Sequence, residues 1–294
     1  MNITIGIPAF NEEKNIGKVI VTLKKITNDI IVCDDGSSDL TKEIAEGLGV
    51  KVISHTKNMG YGEAIKSIFN EAKKKESEIL VTFDADNQHR PEDITNIVKP
   101  ILDKQADMVI GSRFLKNETN MPNYRKFGVK VLTKVTNMSI KENLTDSQSG
   151  LRAYQKKVLQ IINLTDSGMG ISTEILIKSH QNKFRIVEVP IQILYGNNTS
   201  THNPVSHGTS VLLSTIKYTS IQHPLKFYGI PGIIFLLVGL TFSLWALQIY
   251  AEETRVVTNI ALVGIGAIIL GVVLLISAIL LYSLVSVVQE NRNT

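Results

Sequence analysis

Residues 78–93 read EILVTFDADNQHRPED. An apolar run through Leu80, Val81 and Phe83 gives way abruptly to Asp84-Ala85-Asp86-Asn87-Gln88. Alternate residues of an extended backbone share a face. Asp84, Asp86 and Gln88 would therefore project together just past a strand end. Three oxygen donors suit a hard divalent cation such as Mg²⁺ or Mn²⁺, which keeps waters and binds substrate phosphates. The competing reading is a solvated turn, and the rest of the chain has to choose between them.

The surrounding pattern favours an open α/β sheet. Short apolar runs, ITIGIP, DIIVCDD, VKVISH, EILVTFD and DMVIGS, alternate with the helical patterns EEKNIGKVIVTLKKI, SSDLTKEIAEGL, GEAIKSIFNEAKKK and PEDITNIVKPIL. Repeated βα units of this length predict a mostly parallel sheet covered by helices on both faces. On such sheets ligands bind beyond the carboxyl ends of the strands. Polar and acidic groups collect at those ends: Pro8-Ala9-Phe10-Asn11-Glu12, Asp34-Asp35-Gly36-Ser37, Asp84-Ala85-Asp86 and Gly111-Ser112-Arg113. Gly60 and Gly62 open a helix, where backbone amides could approach a phosphate. Arg113 and Arg125 offer guanidinium groups for a phosphate, and Arg152, after QSG, a third. Beyond Arg113 the pattern loosens, with a basic segment NYRKFGVKVLTKV, a helix near Ser172–Gln181 and an apolar strand RIVEVPIQIL.

Composition locates a membrane anchor. Of 294 residues 44% are hydrophobic, and no charged residue occurs from Phe227 to Tyr250 or from Val256 to Gln289. Each run exceeds the roughly 20 apolar residues needed to cross a bilayer. A transmembrane hairpin is predicted, at about 228–250 and 258–286 within residues 227–289. The segment TSVLLSTIKYTSIQHPLKF has helical apolar spacing and reads as an interfacial helix over 206–226, with the α/β domain over 1–205. Lys217, Lys226 and Arg292 flank the hairpin on one side and Arg255 alone lies in its loop, which predicts a cell-membrane protein with its larger domain on the cytoplasmic side. Ala267 and Gly271 give a small-xxx-small spacing that could pack a second helix or subunit, so a homo-oligomer is an open expectation. The net charge of +4 gives no reason to expect nucleic-acid binding, and the single Cys33 rules out an intrachain disulfide.

In order along the chain, IPAFNEEKNIG, DDGSSDLT, NMGYGEAI, FDADNQHRPEDI, VIGSRF and DSQSGLRAY resemble the motifs of the family 2 glycosyltransferases with the GT-A fold. They are more closely similar to the polyprenyl-phosphate type represented by dolichol-phosphate mannose synthase. The resemblance covers about residues 2–190. It implies that Asp84, Asp86 and Gln88 hold the metal. Pro8, Phe10, Glu12, Asp34, Asp35 and Asn58, with Asp84, Ala85 and Asp86, would hold the nucleotide sugar, and Arg113 and Arg125 the acceptor phosphate. The implied reaction is inverting transfer from a nucleotide sugar to dolichyl or polyprenyl phosphate for protein glycosylation.

One departure bears on the donor. Mannose synthases of this type carry basic residues after the EVP strand, yet no Arg or Lys occurs here from Ile191 through Thr215. His202 and His207 stand in that region, and STHNPVSHG is similar to archaeal relatives that use UDP-sugars. A UDP-hexose or UDP-N-acetylhexosamine is the expected donor, with GDP-mannose the alternative. A processive polysaccharide synthase would carry Gln-x-x-Arg-Trp, which is absent. A non-catalytic accessory subunit would be marked by loss of the carboxylates or arginines, and both sets are intact.

Overall fold

The computed structural model describes residues 2–115, 121–140, 142–193, 220 and 224–293. The chain divides into two compact units, Met1–Thr215 and Ile216–Thr294.

The first unit is built on seven strands: β1 (Ile3–Ala9), β2 (Ile30–Asp34), β3 (Lys51–Ser54), β4 (Ile79–Thr82), β5 (Met108–Ser112), β6 (Arg152–Gln155) and β7 (Ile186–Pro190). They lie in the order β3-β2-β1-β4-β6-β5-β7. All neighbours are parallel except around β6, which runs antiparallel to both β4 and β5. The helices α1 (Ile16–Leu23), α2 (Thr41–Gly47), α3 (Tyr61–Lys74), α4 (Asp93–Leu102), α5 (Asn123–Ile140), α6 (Lys156–Ile161) and α7 (Ile171–Gln181) connect them.

Sequence periodicity explains the packing. Helix α1 buries Ile16, Val19, Ile20 and Leu23, and α4 buries Ile94, Ile97, Val98 and Ile101, each an i, i+3, i+4, i+7 stripe. Strands β2, β4 and β5 are buried at every residue, as expected of strands covered on both faces. The mostly parallel α/β sheet predicted from the βα pattern is the one observed.

Two features of the topology place the site. The chain runs outward from β1 through β2 to β3 and then returns to the other side of β1 for β4, which makes a switch point between β1 and β4. There the β1–β4 pairing stops at Gly6↔Thr82, and Phe83 N–H still donates to the Gly6 carbonyl at 2.9 Å. Pro8, with no N–H to give, stands where that ladder has already ended. The reversed strand β6 begins where its parallel neighbours finish. Thr82 pairs with Arg152, so the Ser147–Gly150 turn that precedes β6 is carried to the carboxyl edge beside Asp84.

The second unit contains α8 (Ile230–Glu253), entered through a π-helical turn at Leu225–Gly229, and α9 (Thr258–Asn293). Both are long and apolar enough to cross a membrane, and most of their large apolar side chains are exposed. They pack together through a seam of small residues: Gly232 and Gly239 on α8, Gly264, Gly271 and Ala278 on α9. A Cβ at Gly271 would stand 2.8 Å from both the Gly232 carbonyl oxygen and the Leu236 nitrogen. The seven-residue spacing on each helix is the repeat that keeps one seam facing its partner in a left-handed pair. Gly271, one of the two residues of the small-xxx-small spacing expected to pack a second helix or subunit, packs against α8 within the hairpin, as part of this heptad. The expected interfacial helix over 206–226, apart from Ser220 and 224–226, lies outside the described residues, as do His202 and His207.

Candidate active site

Strand β4 delivers Asp84 and Asp86 to the switch point. Asn87, with φ +57°, turns the chain back, and Gln88 N–H donates to Asp86 Oδ1 at 3.1 Å. Both carboxylates are half-buried, as is Gln88, while Ala85 between them is buried in the core. Burial opposes ionisation of Asp84, yet the hydrogen bond from His89 and the positive charges of Arg113 and Arg152 hold it below the usual carboxylate range. Asp86 goes the other way: burial, and then the negative charge of Asp84, push its carboxyl up to about 6. Glu12 adds further negative charge to Asp86.

Two carboxylates crowded until one resists ionising are a fitting donor set for a hard divalent cation. Among the described residues no group of three or more His, Cys, Asp or Glu side chains could hold a metal. A cation held by Asp84, Asp86 and the Gln88 amide would thus complete its shell with water and substrate oxygens.

Gly150 has no side chain because there is no room for one. A Cβ there would stand 2.6 Å from Asp84 Oδ1 and closer still to Oδ2. The position is fixed by Thr82, whose hydroxyl donates to the Gly150 carbonyl at 2.7 Å. His89 Nε2 lies 3.1 Å from Asp84 Oδ2.

Arg113 follows β5 and is held bidentately by Asp146, Nε to Oδ2 at 2.6 Å and Nη2 to Oδ1 at 2.8 Å. Asp146 is fully buried, and its backbone N–H donates to Glu188 Oε1 at 2.8 Å. Burial and the charge of Asp146 push Glu188 above its ordinary range, against the hydrogen bonds it accepts from Thr145 and Asp146. This chain of contacts holds Arg113 in one orientation, at a place where its charge reaches Asp84.

Along the other strand ends, Asp34 and Asp35 are buried. Asp34 Oδ1 accepts from Ser37 N–H at 3.2 Å. Asp35 accepts from Met59 and Gly60 N–H groups at 3.0 and 2.8 Å and pairs with His55 Nδ1 at 2.6 Å. It thereby holds the exposed loop that carries Asn58. Phe10 and Glu12 are half-buried, and Glu12 N–H donates to Thr41 Oγ1 at 2.7 Å. Arg125 lies half-buried on α5.

Two expectations are corrected. Arg152 is 2% exposed, and its guanidinium donates to the carbonyls of Ser149, Ser172 and Ser147 at 2.8, 3.0 and 2.6 Å. It shapes the turn behind Asp84 rather than offering itself to an acceptor phosphate. Gly60 and Gly62 do not open onto a phosphate either, because the backbone of residues 166–168 crosses directly over them. A Cβ at Gly62 would meet the Asp166 and Gly168 carbonyl oxygens at 2.7 Å, and one at Gly60 the Ser167 oxygen at 2.8 Å. His89, Asp146, Gly150 and Glu188 were not singled out from sequence. Gly150 and Asp146 stand inside the quoted DSQSGLRAY motif, which was the available signal.

A carboxylate pair at the switch point of an open α/β sheet, beside an arginine fixed by a buried aspartate, is the arrangement of a GT-A-type transferase. The chain belongs to glycosyl transferase family 2, which residues 4–162 match. It is 40% identical to an uncharacterised protein of Methanocaldococcus jannaschii, over 71% of this chain and 86% of that one. It is 36% identical to the UDP-N-acetylglucosamine–dolichyl-phosphate N-acetylglucosaminyltransferase of Methanococcus voltae, over 70% of this chain and 89% of that one. With the dolichol-phosphate mannosyltransferase of Pyrococcus furiosus it shares 35% identity over 65% and 56%. The fold also matches crystalline glucosyl-3-phosphoglycerate synthase of Mycobacterium tuberculosis bound to Mn²⁺, UDP and phosphoglyceric acid, with TM-score 0.59 and 20% identity, over 74% of this chain and 78% of that one.

Proposed function

We propose that this glycosyltransferase moves a hexose or N-acetylhexosamine from a UDP-sugar to dolichyl or polyprenyl phosphate at the cytoplasmic face of the cell membrane. The transfer inverts the anomeric centre, requires Mg²⁺ or Mn²⁺, and supplies lipid-linked sugar for protein glycosylation. The observation that carries this reading is the Asp84–Asp86 pair at the switch point of a family 2 chain that ends in two bilayer-length apolar helices. The dolichyl-phosphate acceptors named for the M. voltae and P. furiosus relatives support the lipid substrate. The first of these, with the lack of basic residues after β7, supports a UDP-linked donor.

The acceptor needs little activation. A phosphate monoester loses its second proton near about pH 6, so the nucleophile is already anionic at neutral pH and no general base is required. Its oxygen attacks the anomeric carbon as the bond to the diphosphate breaks, and the nucleoside diphosphate leaves. A cation held by Asp84, Asp86 and Gln88 would neutralise charge on that leaving diphosphate. Arg113, oriented by Asp146, and Arg125 receive the lipid phosphate and reduce its repulsion from the diphosphate. Pro8, Phe10, Glu12, Asp34, Asp35 and Asn58 hold the nucleotide along the ends of β1, β2 and β3, with Ala85 beneath it.

The test is transfer from a panel of radiolabelled UDP- and GDP-sugars to short polyprenyl phosphates in detergent, with Mg²⁺ or Mn²⁺ and with EDTA. EDTA-sensitive transfer from a UDP-sugar, lost in Asp86→Ala, is the expected result. Transfer from GDP-mannose alone would move the donor to the second reading, which the P. furiosus relative favours. No transfer from any donor by folded protein would overturn the reaction.

A further inference from the structure

We infer that His89 is a positioning residue for the metal site: its imidazole fixes the Asp84 carboxylate in the orientation that receives a divalent cation. This rests on the reading of Asp84 and Asp86 as cation ligands.

The ring is placed by contacts that owe nothing to a cation. His89 is 5% exposed, its backbone bridges antiparallel to Ile193, and its ring meets Phe83 edge-on with centroids 5.6 Å apart. Beside that bridge, Gln192 N–H donates to Asp93 Oδ2 at 3.2 Å, so the turn after Asp86 is tied at two points to the residues that follow β7.

Only one ring nitrogen has a partner among the described residues. Nε2 lies 3.1 Å from Asp84 Oδ2, while Nδ1 is buried with none. An unpaired N–H is harder to bury than an unpaired lone pair, so the hydrogen belongs on Nε2 and the tautomer is fixed. Asp84 then has a donor on one oxygen and packs closely against the Gly150 backbone. A carboxylate that keeps its place before the cation arrives loses little freedom on binding. Groups that orient metal ligands this way are worth about 10–100-fold in metal affinity.

The experiment measures Mn²⁺ binding by electron paramagnetic resonance on the full-length protein in detergent, without substrates. His89→Phe keeps an aromatic ring against Phe83 but removes the donor. It is expected to weaken Mn²⁺ binding about 10–100-fold, with the thermal unfolding midpoint close to wild type. His89→Gln places an amide N–H near the position of Nε2 and is expected to restore affinity to within about threefold of wild type. Wild-type Mn²⁺ affinity in His89→Phe overturns the inference, as does a loss in His89→Gln as large as in His89→Phe. A wild-type protein that binds no Mn²⁺ removes the metal reading itself, and this inference with it.

Discussion

Replacing Gly150 by alanine tests the site at its tightest point. The new Cβ would lie 2.6 Å from Asp84 Oδ1 and nearer to Oδ2, whereas carbon sits comfortably at roughly 3.5 Å from a neighbouring heavy atom. The carboxylate must therefore withdraw by about 1 Å, against the hydrogen bond from His89. A misplacement of about 1 Å in a catalytic group costs on the order of 100-fold, or about 2.7 kcal/mol of barrier. Folding should be largely spared. Gly150 is not among the residues with positive φ, and the Thr82 hydrogen bond to it uses a backbone carbonyl. The expected outcome is a kcat/KM for sugar transfer reduced by about two orders of magnitude, weaker Mn²⁺ binding, and an unfolding midpoint within a few degrees of wild type. Wild-type turnover in Gly150→Ala would refute the claim that the backbone at 150 sets the position of Asp84.

Three further perturbations probe the scaffold. Gly62→Ala drives a methyl into two backbone carbonyls and should destabilise the packing of residues 166–168 on α3 by about 1–3 kcal/mol despite the better helix propensity of alanine; a raised melting temperature would contradict it. Asp107 is buried between the Arg185 and Lys157 side chains and the Arg185 N–H, and although burial opposes it these partners lower its carboxyl to about 2. Because the folded value lies below the unfolded one, its stabilisation is full above about pH 4 and lost as pH falls through about 2. Asp107→Asn should cost no more than about 2 kcal/mol at neutral pH, with the difference from wild type shrinking in acid denaturation curves. Gly271→Leu forces a side chain against Gly232 and Leu236 and should lower the melting temperature of the detergent-solubilised protein; an unchanged midpoint would argue that α8 and α9 do not depend on that seam.

How much was legible in the sequence depends on the range of the interaction. The strands and amphipathic helices were readable because burial imprints a local period: Ile16, Val19, Ile20 and Leu23 announce the inner face of α1 without reference to anything distant. The acidic strand ends were readable for a similar reason, since a parallel sheet sends all such ends to one edge. The strand order was not, because nothing local to Arg152–Gln155 says that it inserts antiparallel between β4 and β5. That insertion decides the role of Gly150, which meets an aspartate 66 positions earlier. It also decides Arg152, where an arginine after a polar turn reads as a guanidinium for a phosphate but is consumed by three carbonyls. Gly60 and Gly62 failed as a phosphate site for the same cause, because their covering segment lies about 100 residues downstream.

The crossing of residues 166–168 over the start of α3 has an electrostatic consequence. The N-terminal end of a helix carries roughly half a positive charge and commonly serves as an anion site. In α3 that end faces the carbonyl oxygens of Asp166, Ser167 and Gly168, and the Glu63 carboxylate stands in its first turn. The macrodipole of this helix is answered from within the protein and has little left to offer a diphosphate. Under the proposed reaction, charge compensation at this edge of the sheet falls to a bound cation and arginines instead. Such compensation can be withdrawn by a chelator or by a single substitution, whereas a helix end could not be.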